Sequence, residues 1–162
     1  MSDYLEVTCR LVSAVLIGAV IGLDRNLHGK PSGMKTLGLV ALGASLSAMA
    51  SQGFEFDFAA RDNAAASRVI QGIITGIGFL GAGVIVHERS TERVRGLTTA
   101  ASIWVTAAIG IVCGMGAWRI AGIAMLVVLA LLVLGRPLEH MLHRRWLGKS
   151  ADERATIDRL EE

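Results

Sequence analysis

The residues with the clearest chemical potential are basic and hydroxyl side chains at the ends of apolar segments. Arg95 and Gly96 precede Thr98 and Thr99, where another long apolar segment begins. Threonine hydroxyls at the start of a helix cap its free N–H groups. Beside an arginine, the same arrangement binds an anion or a lipid phosphate. The pattern leaves both interpretations open: helix capping alone, or capping together with anion binding.

A second charged pair, Asp24 and Arg25, closes the first apolar segment. An acidic side chain at the C-terminus of a helix opposes the helix dipole, so we expect Asp24 to have a basic partner. The candidates for that partner are Arg25, Lys30, Lys35 and Arg95. Both a structural and a functional interpretation of Asp24 stay open.

Glu6 and Arg10 lie one helical turn apart near the N-terminus, with the acid first. This order stabilises an ion pair on a helix. Because Arg10 lies near the end of its segment, we expect its side chain to snorkel to the membrane interface. The alternative is a binding site on the outer face.

No pattern in the sequence supports catalytic or metal-binding chemistry. The four histidines, His28, His87, His140 and His143, lack carboxylate or cysteine partners at metal-ligand spacing. The stretch from Gly76 to Gly81 reads G-x-G-x-x-G, but no strand precedes it and no acid follows about 20 positions on, so we interpret it as helix packing. We expect no enzyme activity, no metal and no cofactor.

The composition indicates which elements must position these residues. Of the 162 residues 52% are hydrophobic and 19% are charged, the mean hydropathy is +0.53 and the net charge is only +2, which argues against nucleic-acid binding. Apolar segments long enough to approach a bilayer span occur at 11–23 (with 5–10 as its outer end), 36–51, 69–86, 97–113 and 118–134. They predict an all-α bundle of five transmembrane helices at 1–135, stopped by Gly135-Arg136-Pro137, and a short cytoplasmic juxtamembrane tail at 136–162.

The charges also predict an orientation. The start of the chain is acidic and Asp24-Arg25 follows the first segment, which favours a retained helix over a cleaved signal peptide. Most of the 16 lysines and arginines fall in the first and third loops and in the tail. Positive charge is retained in the cytoplasm, so we expect the N-terminus outside and the C-terminus inside.

Glycine spacing predicts how the helices pack. Small residues one turn apart let helix backbones approach closely in lipid. The glycines with this spacing or close to it are Gly18, Gly22, Gly72, Gly76, Gly78, Gly81 and Gly83. We expect the third helix to be the crowded hub of the bundle. A broken third helix that lines a cavity is the alternative, and the same faces also permit a homo-oligomer.

Four blocks of sequence resemble the MgtC/SapB family of bacterial inner-membrane proteins. They are 18–25, 29–36, 76–83 and 95–102, in that order, and the resemblance covers about 5–134. Asp24 and Lys35 stand where glutamate and arginine are common in the family, so the charges are kept. The resemblance implies a five-helix membrane domain, a link to growth at low magnesium, and action on a partner without catalysis. The chain is similar to the shorter SapB-type members without a C-terminal ACT-like domain.

Carried over by position, the family motifs mark a set of charged and hydroxyl residues: Asp24, Arg25, Lys30, Lys35, Thr36, Arg95, Thr98 and Thr99. Our hypothesis is that they converge on one cytoplasmic-face site that senses an ion or lipid headgroup, or docks another inner-membrane protein. Spans two to five carry no charged residue at mid-depth, which favours a non-enzymatic regulator. The alternative is a channel or transporter for Mg²⁺ or another small solute. Membrane lipids are expected partners; nucleic acids are not.

Overall fold

The computed structural model describes residues 2–54, 63–88 and 93–147 of the chain. Five helices occur there: α1 (Ser2–Leu27), α2 (Met34–Ala50), α3 (Asn63–Val84), α4 (Leu97–Gly114) and α5 (Trp118–Leu147). Two three-residue strands, β1 (Val86–Glu88) and β2 (Arg93–Arg95), form an antiparallel ribbon between α3 and α4. The predicted all-α bundle of five apolar helices is confirmed.

The core lies where α2 packs against α4. The buried residues of α2 recur every three or four positions and so form one helical face: Leu37, Gly38, Ala41, Ala44, Ser45, Ala48 and Met49. Most of these residues are small, and α4 places glycines opposite them. A Cβ atom on Gly110 would lie 2.5 Å from the Ala41 carbonyl oxygen, and one on Gly114 would overlap the Ser45 carbonyl oxygen. The two backbones therefore touch directly.

Helix α1 packs against the N-terminal half of α2 in a similar way. A Cβ atom on Gly18 would lie 2.5 Å from the Leu37 carbonyl oxygen, and one on Gly22 would lie 2.6 Å from the Met34 Cα atom. Helix α1 also packs against α4, so α1, α2 and α4 form a three-helix group. Glycine at these positions is what permits the close crossing of α1 and α2.

Helix α3 is not the hub that its glycines suggested. It packs mainly against α4, and among the residues that the structure describes nothing lies within 4 Å of a Cβ atom built on Gly72, Gly76, Gly78 or Gly83. At Gly81 the Ala100 Cβ atom is at an ordinary 3.6 Å. The glycine spacing indicated a close contact but not whether the partner helix lay within this chain. The helix is also continuous from Asn63 to Val84, so the alternative of a broken third helix is wrong.

Helices α3 and α5 expose apolar surface. In α3 only 6% of the most apolar stretch of 18 residues is buried, and in α5 the share is also 6%. Phe79 on α3 is 83% exposed. Four helices, all but α2, are long and apolar enough to cross a membrane; α2 has 17 residues, at the short end of the spanning range of about 17–25. Exposed apolar helices of this length are typical of a bilayer environment.

Two helices have ends that differ from those of the apolar segments, although the candidate membrane span of the last helix, Trp118–Gly135, agrees with the predicted segment. Helix α3 ends at Val84, because Val86 enters the β1–β2 ribbon. Helix α5 does not stop near Gly135 but continues through Pro137 to Leu147. A proline removes one backbone donor, and the strong helix formers around it carry the helix on. The chain divides into two compact units, 1–126 and 127–162; the structure describes the second as far as Leu147, and the tail from 148 on lies outside it.

At the end of the bundle where α1 begins, Arg10 joins α1 to the end of α4. Its Nε atom donates to Glu6 Oε1 at 2.7 Å, as the spacing predicted, and its Nη1 atom donates to the Gly114 carbonyl oxygen at 2.7 Å. The predicted ion pair is therefore present, and the Arg10 side chain is buried within the protein, with only 3% exposed. A cation at the C-terminus of α4 satisfies an orphan carbonyl group and complements the helix dipole. Cys9 and Cys113 are both free thiols.

The glycine geometry makes Gly110 and Gly76 a matched pair for a stability test. We expect Gly110→Ala to lower the free energy of unfolding by about 1–3 kcal/mol, because the new methyl group meets the backbone of α2. Gly76→Ala has open space around it and removes a flexible residue from a helix interior, so stability should stay or rise by about 0.5–1 kcal/mol. Thermal unfolding of both variants in one detergent measures this. Equal midpoints would contradict the packing described here.

Candidate functional site: a basic cavity at one end of the bundle

The sequence-predicted site residues belong to one end of the bundle, where α1 ends, α2 begins and α4 begins. The segment that joins α1 to α2 is short, and it turns through Gly29 (φ +61°) and Ser32 (φ +62°). The β1–β2 ribbon brings the chain from the end of α3 to the start of α4. The connection between α1 and α2 is thus adjacent to the start of α4, which is far from it in the sequence.

Arg25 is the structural centre of this end. It is only 2% exposed and is the largest fully buried side chain in the part of the chain that the structure describes. Its Nη1 atom donates to Ser102 Oγ at 2.9 Å, and its Nη2 atom donates to Thr99 Oγ1. Its Nε and Nη2 atoms donate to the Pro31 carbonyl oxygen at 3.2 and 3.3 Å. One guanidinium group therefore ties α1 to the α1–α2 loop and to α4.

The planar fork of arginine suits this position. A guanidinium group offers donors in several fixed directions, whereas a lysine ammonium group is a compact point charge. The Arg25 backbone carbonyl also accepts hydrogen bonds from the Lys30 and His28 amides, at 3.0 and 3.2 Å. The side chain and backbone of this one residue together hold the α1–α2 loop in place. Arg25 is thus a structural brace of the site.

The start of α4 differs from the capping that the threonines predicted. Gly96 occupies the N-cap position with φ +92°, and no side chain caps the helix there. A Cβ atom on Gly96 would overlap the carbonyl oxygen of Val84 at the end of α3, so position 96 requires a glycine. Thr98 and Thr99 lie inside the first turn, past the position from which a hydroxyl can cap. The Thr99 hydroxyl instead accepts a hydrogen bond from Arg25.

A cavity of about 640 Å³ opens beside this brace, which we call the basic cavity. Its walls combine loop, α3 and α4 residues: Gly29, Lys30, Pro31, Val84, Arg95, Gly96, Thr98 and Thr99. Lys30 and Arg95 contribute positive charge. The first N–H groups of α4 have no acceptor within their own helix, and the helix dipole makes this end positive. The cavity therefore has the charge and the donors to hold an anionic group.

The remaining predicted residues lie elsewhere. Asp24 does not line the cavity; its Oδ1 atom is 3.5 Å from His28 Nδ1, and its backbone carbonyl is 2.6 Å from the same nitrogen. Lys35 and Thr36 line a separate groove between α2 and α3. The structure thus brings Lys30, Arg95, Thr98 and Thr99 around one cavity, places Arg25 behind its wall, and separates the other three from it.

Sequence reasoning missed two contributors to this end. The first is the β1–β2 ribbon, whose register pairs Val86 with Arg95 and Glu88 with Arg93. Three-residue strands are too short to give an alternation signal in the sequence. The second is the Pro31 carbonyl group. A backbone acceptor leaves no trace in residue type, and only the fold reveals it.

A family model for the MgtC family matches residues 11–141, which include all the helices that form this end. The chain belongs to the MgtC family. It is 48% identical to Protein SrpB of Synechococcus elongatus over 124 residues, which is 73% of this chain and 68% of that protein. It is 35% identical to Protein MgtC of Salmonella typhimurium strain LT2, over 89% of this chain and 58% of that protein.

A third relative is Protein MgtC of Brucella abortus, 36% identical over 87% of this chain and 56% of that protein. The chain thus spans a little over half the length of these MgtC proteins and about two thirds of SrpB. No solved structure matches the chain. Membership of the MgtC family therefore rests on sequence, and the resemblance seen in the four motif blocks is confirmed.

The contacts of Arg25 predict that a lysine cannot replace it. Arg25→Lys keeps the buried charge but cannot reach Pro31, Thr99 and Ser102 together, so we expect the free energy of unfolding to fall by about 1–3 kcal/mol. For a chain of this size that is a midpoint shift of about 2–4 °C per kcal/mol. Arg119→Lys, at an exposed position on α5, is the matched control and should change little. Equal thermal midpoints for the two variants would refute the brace.

Proposed function

We propose that this MgtC-family protein is a non-enzymatic regulator of the bacterial inner membrane that serves adaptation to low magnesium. In this proposal it acts by binding an anionic group of a membrane-protein partner in the basic cavity. The basic cavity is the observation that supports it most directly. Its Lys30 and Arg95 side chains and the α4 N-terminus together favour a carboxylate or phosphate group.

The position of the cavity supports a protein partner. Its walls come from the α1–α2 loop, from the segment that precedes α4, and from the adjoining ends of α3 and α4. By the positive-inside rule this end faces the cytoplasm, where a juxtamembrane part of a partner is accessible. The Arg25 brace holds the loop against α4, so the cavity is largely preformed and little ordering is needed on binding.

The glycine-rich third helix motivated the transporter alternative. A broken helix that lines a cavity does not support that alternative, because α3 is continuous from Asn63 to Val84. A Mg²⁺ flux measurement on proteoliposomes separates the two functions. We expect no flux under either voltage polarity. Flux that Asp24→Asn abolishes would instead establish transport.

Complementation of a deletion strain tests the regulatory proposal. We expect a Lys30→Ala/Arg95→Ala double variant to rescue growth in low-magnesium medium much less well than the native protein, because the cavity loses its two positive side chains. The control is Arg119→Ala, which also removes positive charge but lies on α5 away from the cavity and should rescue fully. Membrane levels of each variant are measured by immunoblot. Full rescue by a double variant at normal abundance would end the proposal.

A further inference from the structure

An apolar groove runs between α2 and α3, separate from the basic cavity. It has a volume of about 580 Å³, and its long walls carry Leu39 and Val40 on α2 and Ile73 and Ile77 on α3. Its lining extends from Lys35 to Ser47 on α2 and from Gly72 to Leu80 on α3. We call this feature the α2–α3 groove.

One end of the groove is polar and positively charged. Lys35 and Thr36 line it there, within the first turn of α2. The N-cap residue of α2 is Gly33, which provides no side-chain cap. The first N–H groups of α2 lack acceptors within the helix, and the helix dipole adds positive character at the same place. Charge is thus confined to one end of an otherwise apolar surface.

The dimensions match one half of a bilayer. Lys35 and Ser47 mark the extent of the groove along α2, and twelve residues of helix rise about 18 Å. One leaflet of hydrocarbon is about half of a 30 Å core. Leu39, 67% exposed, and Leu80, 47% exposed, add large apolar surface at the margin. A molecule that fills this groove has a long apolar chain and a single anionic head.

We propose that the α2–α3 groove binds one anionic phospholipid, with its phosphate group at Lys35 and the α2 N-terminus and an acyl chain along the groove. Phosphate at a helix N-terminus beside a lysine is a favourable electrostatic arrangement. The acyl chain covers apolar side chains that α3 leaves exposed. This role assigns a chemical purpose to Lys35 and Thr36, which do not line the basic cavity.

Glycines give the groove its depth. Gly43 on α2 and Gly72 and Gly76 on α3 all line it, and a Cβ atom on any of them would meet no atom of the described part of the chain within 4 Å. A larger side chain at these positions is expected to fill the groove. Gly83, also on α3 and also open, does not line the groove. The chain therefore supplies groove-filling variants and a matched control.

Native mass spectrometry of the purified protein in detergent tests the proposal, with added phosphatidylglycerol or phosphatidylcholine of identical acyl chains. The native protein should retain one phosphatidylglycerol, and retain it better than phosphatidylcholine. Gly76→Leu and Gly43→Leu should each reduce that bound fraction at least tenfold, whereas Gly83→Leu should bind as the native protein does. Lys35→Gln should lower the preference for phosphatidylglycerol by about tenfold, the effect of one charge-assisted hydrogen bond.

The result that overturns the proposal is unchanged phosphatidylglycerol binding in both Gly76→Leu and Gly43→Leu. A dimer that these variants dissociate, with no change in bound lipid, would overturn it too and assign the groove to a second copy of the chain. Equal binding of the two lipids, unaffected by Lys35→Gln, would remove the headgroup site. Lys30→Gln should leave lipid binding intact, which separates this groove from the basic cavity.

Discussion

The structure depends on direct backbone contact between α2 and its two neighbours. Gly110 and Gly114 of α4 meet the carbonyl oxygens of Ala41 and Ser45, while Gly18 of α1 meets that of Leu37. In lipid the hydrophobic effect does not favour helix–helix contact over helix–lipid contact. The attraction between helices therefore comes from close packing of small residues. This constraint explains why a helix of only 17 residues occupies the middle of the three-helix group.

The same close crossing places Arg25 among α1, the α1–α2 loop and α4. A charged side chain with 2% exposure is costly unless its donors find acceptors. Here two hydroxyl groups and a carbonyl group accept them, and all three lie on segments that the glycine contacts have already brought together. The basic cavity therefore depends on the core. The packing of α1 against α4 buries Arg25, and Arg25 holds the cavity walls in place.

In contrast to those of α1 and α4, the glycines of helix α3 make no close backbone contact within the described part of the chain. Because α1, α2 and α4 satisfy one another, α3 lies outside them and keeps most of its glycines open. An open glycine on an apolar helix makes a concave surface, and between α2 and α3 that surface becomes the groove that begins at Lys35. The two sites use different residues, Lys30 and Arg95 in one and Lys35 in the other, so each can be disabled without the other.

The sequence by itself determined the membrane class, five apolar helices, most of their boundaries and the family, because hydropathy and motif order are local properties. It also indicated the charged and hydroxyl residues of the candidate site. Only the tertiary structure decided which of them meet. Gly72 and Gly110 look alike in a sequence, yet one faces open space and the other the backbone of α2. Likewise, nothing local shows that the Arg25 side chain turns towards the Pro31 carbonyl group and Thr99, since these acceptors come from a loop and from a helix 74 residues away.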